Sequence, residues 1–154
     1  METSEGLGSV NARLLEQSAA LVGLLEDDEF CSAEICPGGA GIGPQLRHCA
    51  DFYRALLDGL AAGRVDYDAR KRDPLFETHR GYAARERRAA PGIDAGRNGR
   101  RLGAHARELL VLLSHTVHHH ALACERLRAR GIDPGASFGV APSPLAHANA
   151  PCAR

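Results

Sequence analysis

From Ala104 to Arg130 the chain reads as one unbroken amphipathic helix. Leu109, Leu112, Leu113, Thr116 and Leu127 supply its buried stripe. Gly131 follows, with arginines in the last turn, where the helix dipole favours positive charge. A helix of this length needs other helices to cover its stripe. It also contains His115-Thr116-Val117-His118-His119. Two histidines four residues apart on a helix stand about 40° apart around its axis. Both imidazoles of His115 and His119 can therefore reach one point, as two ligands of a metal ion must.

Helix signals dominate the rest of the chain, and no segment sustains the alternation of a strand. The spacing predicts a first helix from Ser9 to about Asp27, capped by Ser9 or Asn11. Phe30 to Gly43, with Pro37-Gly38-Gly39 and Gly41-Ile42-Gly43, reads as a loop. A second helix starts with Pro44 in its first turn and stops at Gly63. Its stripe is Leu46, Cys49, Phe52, Tyr53, Leu56, Leu57 and Leu60, and His48 sits at the edge of that stripe. The polar stretch Arg64 to Asp73 reads as a connector. A short, weakly amphipathic third helix is predicted from Pro74 to about Ala89, followed by a loop over Pro91 to Gly99. These elements predict an all-α fold, an antiparallel four-helix bundle whose third helix is abbreviated. The chain is read as a single domain over residues 1–145, with 146–154 as a disordered tail. It shows no internal repeat.

Bulk properties narrow the partners. Nineteen basic residues balance nineteen acidic ones. That balance gives no electrostatic reason for a nucleic-acid partner or a membrane surface. The basic cluster Arg85-Glu86-Arg87-Arg88 with Arg97, Arg100 and Arg101 reads as solvated surface. No apolar run approaches the roughly 20 residues that span a bilayer. The acidic start, Met1-Glu2-Thr3-Ser4-Glu5, is unlike a secretory signal, so a cytoplasmic location is expected. Cys31, Cys36, Cys49, Cys124 and Cys152 make an odd set, expected to be reduced thiols.

On a helical wheel Glu108 lies about 20° from His115, while His118 points away from both candidate ligands. His120 leans toward the core side of His119. The stripe is centred roughly 100° from His115, so His115 and His119 flank the buried face. His48, His115 and His119 are the candidate metal ligands. Three neutral imidazoles suit Zn²⁺ or Ni²⁺ and leave a position open for water or substrate. Glu108 is expected either to accept a ligand histidine's second ring N–H or to act as a general base. Spacing alone gives a solvated histidine cluster equal standing, and Cys49, Cys124, Phe52 and Tyr53 read as core.

The residues also resemble a known family. Arg107-Glu108-Leu109-Leu110 followed by Ser114 to Leu122 resembles the DinB-like superfamily of metal-binding four-helix bundles. There one ligand histidine comes from the second helix and two, spaced H-x-x-x-H, from the last. His48, His115 and His119 stand at those positions. The connector Val65 to Asp73 and the stretch Phe138-Gly139-Val140-Ala141-Pro142-Ser143 are similar to one bacterial branch of that group. The resemblance implies an up-down-down-up helix order, a divalent metal and a homodimer. It implies a small-molecule substrate and, for some members, transfer reactions that use a low-molecular-weight thiol. Others are hydrolases or isomerases, so the scaffold does not settle the reaction. The leading expectation is a thiol-dependent transferase. The alternatives are a metal hydrolase with Glu108 as base, and a non-catalytic metal-binding or interaction protein. Asp66, Tyr67, Arg70 and Arg72 either shape the mouth of the site or form a salt-bridged connector. The chain departs from the family over Asp73 to Ala104, which is short and rich in Arg and Gly.

Overall fold

The structure, a computed structural model, describes residues 6–31, 41–88 and 105–141. Every regular element among them is a helix: α1 (Leu7–Leu24), α2 (Asp27–Cys31), α3 (Ile42–Ala62), α4 (Pro74–Thr78), α5 (Arg80–Arg88) and α6 (Ala106–Ala129). None is long and apolar enough to cross a membrane. The expected loop over Pro91 to Gly99, the tail 146–154, Cys36, Cys152 and the arginines at 97, 100 and 101 lie outside the described residues.

Several boundaries differ from the sequence reading. Helix α1 starts at Leu7, and Gly6 caps it without a side-chain hydrogen bond. Asn11 is instead buried one turn inside, where its amide donates to Leu7 O and Leu109 O. Helix α3 begins two residues ahead of Pro44. Proline is harmless there, because the first-turn amides have no partner within the helix. Gly63 ends α3 in the left-handed conformation, φ 76°. The expected third helix is two short ones, broken at the extended His79 (φ −132°, ψ 94°). The break redirects the chain: α4 packs on α3, and α5 packs on α1.

The contacts fix the directions. Asn11 meets Leu109 and Ser18 meets His120, so α1 and α6 run parallel. Gln45 meets His119 while Phe52 meets His115, so α3 runs against α6. Arg80 reaches Val22 O and Glu86 pairs with Arg54, so α5 runs with α3.

Two apolar clusters fill the interior. One gathers Leu21, Val22, Leu25, Phe30, Ile42, Leu46 and Phe76 with Ala123, Cys124, Leu127 and Phe138. The other gathers Tyr53, Leu56, Leu109 and Leu112. Burying each large side chain contributes about 1.5–3 kcal/mol. Between the clusters lies a polar layer. Tyr53 OH donates to Asn11 Oδ1 at 2.6 Å, Thr116 Oγ1 donates to Tyr53 OH at 3.2 Å, and Ser18 Oγ bonds His120 Nε2 at 2.6 Å.

Helices α4 and α5 dock through few apolar side chains and several ion pairs. Only Phe76 and Ala83 of α4 and α5 are buried apolar residues. Arg47 joins Asp51 to Glu77 of α4, Arg54 reaches Asp73 and Glu86, and Arg80 holds Asp27. The connector lies directly on α3 at Gly59, where an added Cβ would stand 2.6 Å from Val65 Cα. Cys31, Cys49 and Cys124 form no disulfide with one another.

Candidate metal centre

The helix directions decide what meets at the rim of the polar layer. The antiparallel run of α3 and α6 brings His48 level with the turn that carries His115 and His119. The three rings touch pairwise, with centroids 4.9 Å (His48–His115), 4.7 Å (His48–His119) and 4.5 Å (His115–His119) apart. One ring nitrogen from each lies within 4.8 Å of the other two. All three histidines are half-buried. His118 is exposed, and His120 is fully buried, stacked on Phe138 at 4.5 Å.

The electrostatics suit ligation. Burial is the first cause that lowers all three pKa values, and neighbouring imidazoles and arginines add to it. His48 and His119 fall to about 4, and His115 is also lowered. At neutral pH each ring is therefore uncharged and keeps a lone pair to donate. His115 Nε2 is buried and has no hydrogen-bond partner among the described residues. A metal ion would satisfy that nitrogen without a proton. Among the described residues no carboxylate belongs to the cluster, and a three-imidazole donor set fits a borderline cation such as zinc or nickel.

Gln45, one turn before His48, was not anticipated from the sequence. Its Oε1 accepts a hydrogen bond from His119 Nδ1. A carbonyl oxygen can only accept, so the ring carries its proton on Nδ1 and presents Nε2 as the ligand atom. The signal was available in principle: Gln45 and His48 are three apart and share a helix face.

Phe52 of α3 covers one side of the rings, and the connector packs on Phe52 in turn. Phe52 packs on His115 at 4.4 Å and on His48 at 5.0 Å. Tyr67 stacks on Phe52 at 5.2 Å, and the Arg70 guanidinium lies 4.6 Å from the Phe52 ring centre. Arg70 Nη1 donates to Tyr67 O at 2.7 Å, which ties the layer together. Phe52, expected as core, is thus a half-buried wall of the site. Glu108 bonds Tyr67 OH at 2.7 Å rather than a ligand histidine. Burial first, and then Glu108, push the Tyr67 hydroxyl well above the usual phenol range. Asp66 caps the backbone N–H groups of Asp68 and Ala69, so its role is in the turn itself. Arg70, Arg47 and Arg72 all act on His48 as positive charges.

No family model, curated protein or solved structure matches the chain. The likeness to the DinB-like group therefore stands on the motif residues alone.

Proposed function

We propose that the chain binds one divalent metal ion, zinc or nickel, through His48, His115 and His119, and uses it for small-molecule catalysis. On this reading α1, α3, α5 and α6 are the columns of an up-down-down-up bundle, with α4–α5 as the abbreviated third column. The observation that carries the proposal is the convergence of three neutral imidazoles from two antiparallel helices, with no carboxylate among them. A bound ion would lower the pKa of a coordinated thiol or water toward neutrality.

The residues around the rings favour an anionic nucleophile over a neutral one. Arg47, Arg70 and Arg72 place positive charge near His48. With a divalent ion and three uncharged ligands, Arg70 and Arg72 would leave the site cationic, while Arg47 is paired with Asp51 and Glu77. A low-molecular-weight thiol, held as its thiolate, answers that field. Phe52 and Tyr67 screen one side of the rings from water. Gln45 holds His119 in the tautomer that presents Nε2. The leading reading is thus a thiol-dependent transferase.

A second reading, a metal hydrolase, rests on the Tyr67–Glu108 pair. Glu108 would accept a proton by way of Tyr67 OH, since its hydrogen bond is to the phenol and not to the rings. Elemental analysis of purified protein beside the His48→Ala variant tests the metal. About one ion per chain in the parent and a sharp loss in the variant are expected. Equal metal in both would overturn the ligand set. Cobalt-substituted protein then separates the reactions. A change in visible absorbance on adding a small thiol supports the transferase. Turnover of activated esters that Glu108→Gln abolishes supports the hydrolase, and inertness to both leaves a metal-binding protein without catalysis.

A further inference from the structure

Arg70 differs from the other arginines of α3, the connector and α5 in what it pairs with. Arg47 holds Asp51 and Glu77, Arg54 holds Asp73 and Glu86, Arg64 holds Asp66, and Arg80 holds Asp27. Arg70 is half-buried, yet it forms no ion pair among the described residues. Removing a charge from water without a counter-charge is costly. Its one hydrogen bond there runs from Nη1 to Tyr67 O at 2.7 Å. Nε is buried without an acceptor and is sealed from any ligand. Nη2 is left to meet one.

The guanidinium is also fixed in place beside the rings. It lies 4.6 Å from the centre of Phe52, and Phe52 itself packs on His115 at 4.4 Å. Its positive charge is felt at both His48 and His115. Stacking and the bond to Tyr67 O hold the planar fork before anything binds, so little freedom is lost when it takes up an anion.

We propose that Arg70 makes the metal centre selective for small molecules that carry a carboxylate a few bonds from the group that meets the metal. The inference rests on the His48, His115 and His119 ligand set of the proposed function, and it holds for either reaction considered there. A divalent ion with three uncharged imidazoles and one thiolate keeps a net positive charge, and Arg70 adds another. A second negative group on the same ligand answers that excess. A neutral or ammonium-bearing ligand does not.

The test titrates the cobalt-substituted full chain with 3-mercaptopropionate, its neutral near-isostere 3-mercaptopropanamide, and cysteamine, followed by thiolate-to-cobalt absorbance. The carboxylate should bind at least about tenfold tighter than the amide, the size of one charge-assisted hydrogen bond, and cysteamine should bind most weakly. Arg70→Gln should bring the carboxylate down to the affinity of the amide, while the affinity of the amide and the cobalt content stay at parent levels. A residue that only braced the connector would shift both thiols together. If Arg70→Gln does not fold, Arg70→Lys decides. It keeps the charge and loses the fork, so the preference for the carboxylate should fall at least about threefold. Equal affinity for carboxylate and amide in the parent, or an undiminished preference in the folded Arg70 variant, would overturn the inference and leave the ligand set standing. No cobalt uptake, or a spectrum that no thiol alters, would overturn the metal reading first and this inference with it.

Discussion

Gln45 on α3 and His119 on α6 are joined by a hydrogen bond that crosses between the two helices carrying the candidate ligands. It fixes the ring's tautomer and its angle together. Gln45→Leu keeps the volume and removes the acceptor. The variant should fold normally and bind zinc about 10–100-fold more weakly, the usual loss when a ligand's hydrogen-bond partner is removed. Competition against a colorimetric chelator measures it; unaltered affinity would show that the bond does not support ligation.

His115→Ala and His119→Ala should each remove most of the metal, because both rings belong to the cluster. His118→Ala should not, since His118 is exposed and outside it. Metal per chain after gel filtration distinguishes the three. Equal loss in all of them would contradict the assignment of faces on α6.

Acid should destabilise the metal-free protein in a defined window. His48 and His119 titrate at about 4 when folded and about 6.5 when unfolded. Between those values the unfolded chain binds more protons, so stability falls as pH falls. Their contribution is fully present above about pH 6.5 and is lost progressively toward pH 4, with His115 acting in the same direction. Urea midpoints at several pH values check this. The His48→Gln/His119→Gln double variant should show a flatter dependence, and an identical slope would refute the linkage.

A bound ion stabilises only the folded chain. With metal at about 1,000 times its dissociation constant, the gain is about 4 kcal/mol. Chelation should therefore lower the melting temperature by several degrees, with added zinc restoring it. A melt indifferent to both would argue against a site in the folded state.

The polar layer should matter to stability as much as the apolar clusters do. Tyr53 OH stands between Asn11 and Thr116, all three buried. Tyr53→Phe strands Asn11 Oδ1 and should cost about 1–3 kcal/mol without changing metal content. Denaturant unfolding gives the first quantity and elemental analysis the second.

The helical class and the face of α6 that carries His115 and His119 were legible because helical periodicity is a local signal. The wheel puts His115 and His119 on one edge, His118 outward and His120 inward, and the structure exposes His118 and buries His120. The His79 break was not legible. Arg80–Arg88 carries too few apolar residues to show which neighbour it would pack on, and ion pairs to distant residues, Arg80 to Asp27 and Glu86 to Arg54, complete its docking. Gln45 escaped notice, and Phe52 read as core, for another reason. Their roles arise from contacts across the α3–α6 interface, about seventy positions away in sequence for Gln45, which no local pattern encodes.

The bare Cα of residue 59 has a reach beyond its own helix. Because Val65 rests on it, a methyl group there would act as a wedge under the strand of chain that leads to Tyr67 and Arg70. The way Tyr67 and Arg70 seat on Phe52, the ring that lies against His48 and His115, is thus set from a spot eleven residues beyond His48, by the smallest residue available.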